Sequence, residues 1–245
     1  MSKISIDIDY IKDGLTDIGY KISDCVVRDN NGVNWQFKFS NSGAIVTIYD
    51  SNKTKNSVVN GRVDEDERIQ LKQIVDSLKT KDLSINPLNK EIIKLIESRK
   101  EDCYYDFKVI PHAFDADLLH DIICLANNLE NRDAYLIIGV ANNYEVVGVE
   151  DNRESNNLYD FLKSKKFAGD NIPDVRIHDM YYRYLHIVVL EIKSSRNVPF
   201  FLAENYKGVF GNQIYIRVGD TNTPKNKCAS YKDIETLWRY HFGLE

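Results

Sequence analysis

The chain has 245 residues, 43% hydrophobic and 28% charged, with a formal net charge of −5 and a pI near 5.6. That balance excludes a disordered chain and fits a soluble globular protein of one or two domains with a sizeable core. A general nucleic-acid coat protein is usually basic, so any nucleic-acid contact here must come from a local patch.

The opening stretch, MSKISIDIDY, carries no apolar signal core, and the longest apolar runs, YLIIGVA and LHIVVLEI, are strand-sized. Cys25, Cys103, Cys124 and Cys228 stand at no metal-ligand spacing and read as reduced thiols. A soluble, cytoplasmic protein is the expectation.

In chain order, Ile8–Ile18 has helical spacing, with Asp13 and Asp17 on its polar side. Val33–Phe39 and Ala44–Tyr49 alternate in strand fashion around the turn Asn41-Ser42-Gly43, and a third strand is expected near Val58–Val59 before Asn60-Gly61. Asp64–Leu78 is predicted as a helix. Asp64, Glu65, Asp66 and Glu67 suit its positive end, and Ile69, Leu71, Ile74, Val75 and Leu78 form its apolar face. Residues 1–80 therefore predict a small α+β domain. Its order of helix, strands and helix, with NWQFKFSNSGAIVTIYD followed by a glycine, resembles the TATA-binding-protein-like N-terminal domain of type-3 ribonucleases H. A generic small α+β domain satisfies the same pattern.

Residues 79–90, KTKDLSINPLNK, are polar and aperiodic, and residues 81–90 are predicted as a linker. The second domain, residues 91–245, opens with a short helix through Ile92, Ile93, Leu95 and Ile96. Tyr104–Ile110 then reads as a strand and Asp115–Leu129 as an amphipathic helix. Tyr135–Val140 is a predicted strand, with Glu145–Val149 its hairpin partner across Asn142-Asn143. A helix over Asn157–Lys165, strands at Val175–Met180, Tyr184–Ile192 and Gln213–Val218, and a closing helix over Tyr231–Tyr240 complete the pattern.

On the predicted strand, Asp106 and Lys108 share a face, and Glu101 just before it can turn back onto them. Two carboxylates and a lysine at one spot suit a divalent cation plus a phosphate. The same spacing also fits a solvated strand face. Arg217, between Ile216 and Val218, calls for an inward partner, either a carboxylate or a phosphate. Further basic residues lie at Lys163, Lys165, Lys166, Lys193, Arg196, Lys207, Lys225 and Lys227. Tyr181, Tyr182 and Tyr184 surround Arg183, as in a packed hairpin or a base-stacking surface. The five histidines form no nucleophile–base or H-E-x-x-H pattern, and no glycine-rich phosphate loop is present. Hydrolase triads, zinc proteases and nucleotide hydrolysis thus have no support.

Several stretches occur in the order of the Schlafen family, whose domain is also described as AlbA-type and nucleic-acid-binding. They are Glu101…Asp106-Phe107-Lys108, Leu125-Ala126-Asn127-Asn128, Leu136-Ile137-Ile138-Gly139-Val140 and Val146-Val147-Gly148-Val149. Asn197-Val198-Pro199-Phe200 and Tyr215-Ile216-Arg217-Val218-Gly219-Asp220-Thr221 follow. Residues 97–240 are similar to that domain. The resemblance implies an α/β (α+β) fold with a mixed sheet flanked by helices.

It also implies a metal-dependent endoribonuclease for tRNA or other structured RNA, with antiviral (phage) defence as its setting. Glu101 and Asp106 would hold Mg²⁺ or Mn²⁺, and Lys108 would serve catalysis. Lys193, Arg196, Lys207 and Arg217 would face RNA or DNA, and a homodimer would rebuild a two-lobed groove. The family's third carboxylate falls at Asn142, an amide, and Asp106 stands where a glutamate is usual. Asp133, a candidate substitute, reads as a turn residue. A non-catalytic nucleic-acid-binding module, or a protein-interaction module in a larger regulatory or defence complex, is the alternative.

Overall fold

The computed structural model describes residues 6–29, 33–50, 57–81, 86–110, 115–149 and 158–244. Part of the expected linker, residues 82–85, and the expected helix start at Asn157 lie outside the described residues. The chain divides into two compact units. One is Met1–Lys94 with Met180–Leu185, and the other is Leu95–Asp179 with His186–Glu245. The division falls inside a helix, α3 (Asn89–Glu97).

In the first unit, β1 (Ile22–Asp29), β2 (Val33–Phe39), β3 (Ala44–Tyr49) and β4 (Val58–Gly61) form an antiparallel sheet in chain order. Helices α1 (Ile8–Asp17) and α2 (Glu65–Thr80) supply the other apolar faces. Ile11 and Leu15 of α1 and Leu71, Val75 and Leu78 of α2 share one core with Phe37, Val46 and Ile48 of the strands. Asp64 caps α2 by accepting from the Glu67 amide at 2.7 Å, as its acidic first turn predicts. Glu67, itself buried, accepts from the Tyr20 hydroxyl at 3.2 Å and the Ser42 hydroxyl at 2.5 Å, so α2 is tied to the β2–β3 turn. Burial, then the Glu67 charge, pushes the Tyr20 hydroxyl pKa up.

The second unit is built on a mixed sheet of order β5-β6-β8-β7. β5 (Tyr105–Lys108) runs parallel to β6 (Ala134–Ile138), which pairs antiparallel with β8 (Leu185–Ile192); β7 (Val175–Tyr182) takes the edge. A parallel pair needs a crossover, and α4 (Ala116–Ala126) supplies it. Every residue of α4 except Asp117 is buried, so this helix is the centre of the core together with Leu136, Ile138, Val188 and Leu190. Helices α5 (Leu158–Lys163) and α6 (Tyr231–Phe242) and a short ribbon, β9 (Arg217–Val218) with β10 (Thr221–Asn222), complete it. The protein is thus α+β with mixed sheet pairing. None of the described helices is long and apolar enough to cross a membrane.

Three expectations are corrected. Ile22–Asp29 forms a strand that the sequence pattern did not suggest. Glu145–Val149 is not a full strand. Val140 and Val146 form a single bridge, and the Val147 and Gly148 amides both donate to the Gly139 carbonyl at 2.8 and 3.0 Å. Of Gln213–Val218, only Arg217–Val218 is a strand. The Ile214 amide instead donates to Cys228 Sγ at 3.4 Å, and the Ile216 amide to Thr223 Oγ1 at 3.2 Å, so side chains take the acceptor places of a partner strand at these two amides.

Candidate functional site

The residues that carry the family resemblance are joined by hydrogen bonds. Asn127 follows α4 and is fully buried. Its Nδ2 donates to the carbonyls of Phe200 at 2.8 Å and Tyr215 at 2.9 Å, and its Oδ1 accepts from the Phe200 amide at 2.7 Å. One amide thereby fixes both the Asn197–Phe200 stretch and the start of the Tyr215–Thr221 stretch. Asn128 closes the next turn, with Nδ2 donating to the Leu125 and Arg132 carbonyls at 2.9 and 2.8 Å.

The β9–β10 ribbon turns through Gly219, at φ +57, and its register sets Asn222 opposite Arg217. Arg217 is only 3% exposed and points inward at the start of β5. Its Nη2 donates to Glu101 Oε2 at 2.7 Å and to Asp106 Oδ1 at 3.0 Å. Its Nε donates to the Asp102 carbonyl at 2.9 Å, and its Nη1 to Asn222 Oδ1 at 3.0 Å. Of the two partners such an arginine calls for, the structure supplies carboxylates.

Asp106 is also 3% exposed, and its second oxygen, Oδ2, lies 2.7 Å from Lys108 Nζ. That contact is an ion pair without hydrogen-bond alignment. Lys108 also lies 3.5 Å from Asp121 Oδ2, and Asp121 Oδ1 accepts from Asn222 Nδ2 at 2.7 Å. Glu101 Oε1 accepts from the Phe107 amide at 3.2 Å, which holds the carboxylate against the strand. Glu101, Asp106, Lys108 and Arg217 are thus brought together, as strand alternation predicts for Asp106 and Lys108.

Burial and, next, the charge of Asp106 raise the Glu101 carboxyl above the usual carboxylate range. Burial works against the charge on Lys108, but Asp121 and Asp106 outweigh it and raise the ammonium. Three carboxylates meet two permanent cations, so most of the negative charge a divalent metal would answer is already compensated. The set as arranged fits an internal ion-pair network better than a cation cage.

Asn142 stands exposed in the turn after β6 and takes no part in this network among the described residues. Asp133 lies elsewhere. It pairs with Lys193 Nζ and accepts from the Ser194 amide at 2.7 Å, while Lys193 also meets Glu191 at 3.1 Å. Burial works to raise Asp133, but Lys193 and Ser194 outweigh it and hold the carboxyl below the usual range. Lys193 is therefore compensated at one end of β8, whereas Arg196 and Lys207 are exposed.

Sequence reading missed Asp121 and Asn222. Asp121 is a charged residue 7% exposed in a helix buried nearly all round, and its place among Leu118, Ile122 and Leu125 was a signal that it needed an inward partner. Asn222 was findable as the cross-strand neighbour of Arg217 once Gly219 is read as a turn. Among the described residues, the one set of acidic, cysteine or histidine ligand atoms close enough to share an ion is Asp102, Cys103 and Glu130. Burial, then the hydrogen bond to Glu130, pushes the Cys103 thiol up to about 12.

These features define an α+β domain with a mixed sheet and a buried acid–base network between its first strand and a late hairpin. The sequence model of the Schlafen, AlbA_2 family matches residues 101–226, more than half the chain, and the chain belongs to that family. Every residue of the network lies inside that match. Nucleic-acid binding is the activity this membership suggests. No curated protein and no solved structure matches the chain.

Proposed function

We propose that the chain is a nucleic-acid-binding module in which the Glu101–Asp106 pair serves as a charge-compensated structural clamp. The observation that carries this reading is the single Arg217 nitrogen bonded to both carboxylates, with Lys108 on the other oxygen of Asp106. A cation placed between the two carboxylates would face a buried guanidinium within hydrogen-bond range, where like charges repel strongly.

A second reading is an endoribonuclease, dependent on Mg²⁺ or Mn²⁺, that acts on tRNA or other structured RNA, with phage defence as a setting. The convergence of Glu101, Asp106 and Lys108 on one face favours it. On that reading Arg217 gives up the pair, Glu101 and Asp106 hold the cation, and Lys108 steadies the scissile phosphate. The cation would supply charge neutralisation and water activation. Asn142 would add a neutral ligand, and a homodimer would complete the groove.

Labelled tRNA incubated with the protein and Mn²⁺ decides between the two. The binding reading expects a shifted but intact RNA, for wild type and for Asn142→Asp alike. Cleavage that Asp106→Ala abolishes, with RNA affinity kept, establishes the enzyme instead. Failure to bind any nucleic acid removes both.

A further inference from the structure

Among the cations of the second unit, Lys108, Lys166, Lys193, Arg217 and Lys225 are each paired with a carboxylate. Lys163, Lys165 and Lys207 meet no carboxylate among the described residues and lie over aromatic rings instead. Lys165 Nζ is 4.4 Å from the ring centre of Phe161 and 4.0 Å from that of Tyr206. Lys207 Nζ is 5.6 Å from the Tyr206 ring, and Lys163 Nζ is 5.7 Å from the Tyr159 ring.

Backbone pairing assembles Phe161, Lys165, Tyr206 and Lys207 into one group from two distant stretches, with the Phe161 and Tyr206 ring centres 6.3 Å apart, while Tyr159 and Lys163 lie on another side of α5. The Ala168 amide donates to the Phe201 carbonyl at 2.9 Å, the Ala203 amide donates to the Lys166 carbonyl at 2.7 Å, and Phe167 bridges Leu202. The segment after α5 is thereby laid beside the one that leads to Tyr206. A tight turn, bridged between Tyr206 and Val209, then carries Lys207 at φ +42 on its outer side. Lys207 is exposed, and Phe161, Lys165 and Tyr206 are half-buried.

A ring positions an ammonium without cancelling its charge, whereas a carboxylate cancels it. Among the described residues the group therefore offers positive charge with no carboxylate partner beside an aromatic pair, in a chain whose net charge is −5. Phosphate answers the first feature and a nucleobase the second. In a duplex the base faces are stacked on one another, so only a single strand presents both.

We infer that Phe161, Lys165, Tyr206 and Lys207 form a stacking platform for single-stranded nucleic acid. The inference rests on the nucleic-acid-binding reading and locates where that binding occurs. Stacking and phosphate contact do not read the 2′-hydroxyl, so the platform takes RNA and DNA strands alike.

The test is fluorescence anisotropy of the full chain with labelled oligo(U), oligo(dT) and a hairpin duplex, each of about twelve nucleotides, a length within the range such sites span. Wild type binds both single strands comparably and more tightly than the duplex. Tyr206→Ala lowers single-strand affinity about tenfold, while Tyr206→Phe keeps it, both with an unchanged circular dichroism spectrum. Lys165→Ala weakens both strands and leaves the circular dichroism spectrum unchanged. Equal or tighter duplex binding, or wild-type affinity in both alanine variants, overturns the platform while the nucleic-acid reading stands. Competition by polyglutamate as strong as that by oligo(U) overturns it in favour of an acidic protein partner. Absence of binding to all three probes removes the nucleic-acid reading itself.

Discussion

Arg217 is bound on all three of its nitrogens, to two carboxylates, an amide and a carbonyl, with almost no water access. Removing it leaves Glu101 and Asp106 facing each other without that counter-charge. Breaking a buried pair from one side costs about 3–5 kcal/mol, far more than losing a surface ion pair. Arg217→Met is therefore expected to lower the urea midpoint sharply, and Arg217→Lys to recover only part, because one ammonium cannot serve four acceptors. The pH dependence gives a second readout. A carboxyl that holds its proton more tightly folded than unfolded favours folding at low pH, and loses that contribution as pH rises from the ordinary glutamate range through its folded value. Glu101 is such a group, raised by burial and by Asp106. Over that window Arg217→Met should lose stability with rising pH more steeply than wild type, and Arg217→Met with Glu101→Gln should not. Equal slopes in urea melts across pH 4–7 would show that the clamp does not hold Glu101.

Where β3 and β4 meet, backbone approach decides the sequence. Gly61 has φ +106, and a Cβ there would stand 2.1 Å from the Gly43 carbonyl oxygen; a Cβ on Gly43 would stand 2.3 Å from the Arg62 carbonyl oxygen. The Arg62 amide donates to that same Gly43 carbonyl at 3.1 Å, so the strands cannot separate without losing a ladder bond. Gly61→Ala combines left-handed strain with a backbone clash and should cost about 2 kcal/mol or more, read as a lower melting temperature. Both glycines were visible as turn signals. Helix α2 was legible because its period and its buried face coincide, and strands β2 and β3 because β-formers alternate around the Asn41-Ser42-Gly43 turn; α4 was legible as a helix, but it is buried nearly all round rather than amphipathic. β1 was not, since its sequence ISDCVVRD keeps most side chains half-buried or exposed and its order comes from pairing with β2, with a register shift between Ile22 and Asp24. Gln213–Ile216 has a strand's composition, yet Asn127, Thr223 and Cys228 capture its backbone. In the site, local alternation placed Asp106 beside Lys108, while Asp121 and Asn222 enter from distant segments that spacing does not connect.

A net charge of −5 sets how this chain can hold a polyanion. At physiological salt the field of the chain as a whole is screened within about 8 Å, so a local cationic group acts on its own account. The number of uncompensated cations then fixes the salt dependence. Each neutralised phosphate of a single strand releases a fraction of a counterion, giving a slope of about −0.7 per contact in log affinity against log salt. Among the described residues Lys163, Lys165 and Lys207 are three such cations, each over an aromatic ring rather than on a carboxylate. The expected slope is about −2, which amounts to roughly a fifteenfold loss of oligo(U) affinity between 50 and 200 mM salt. Lys165→Ala should flatten it by about 0.7, and Lys193→Ala should leave it unchanged because Asp133 and Glu191 already hold that charge. A slope of about −5 or steeper would mean that other cations, Arg196 among them, carry the contact, because three lysines cannot release that many counterions.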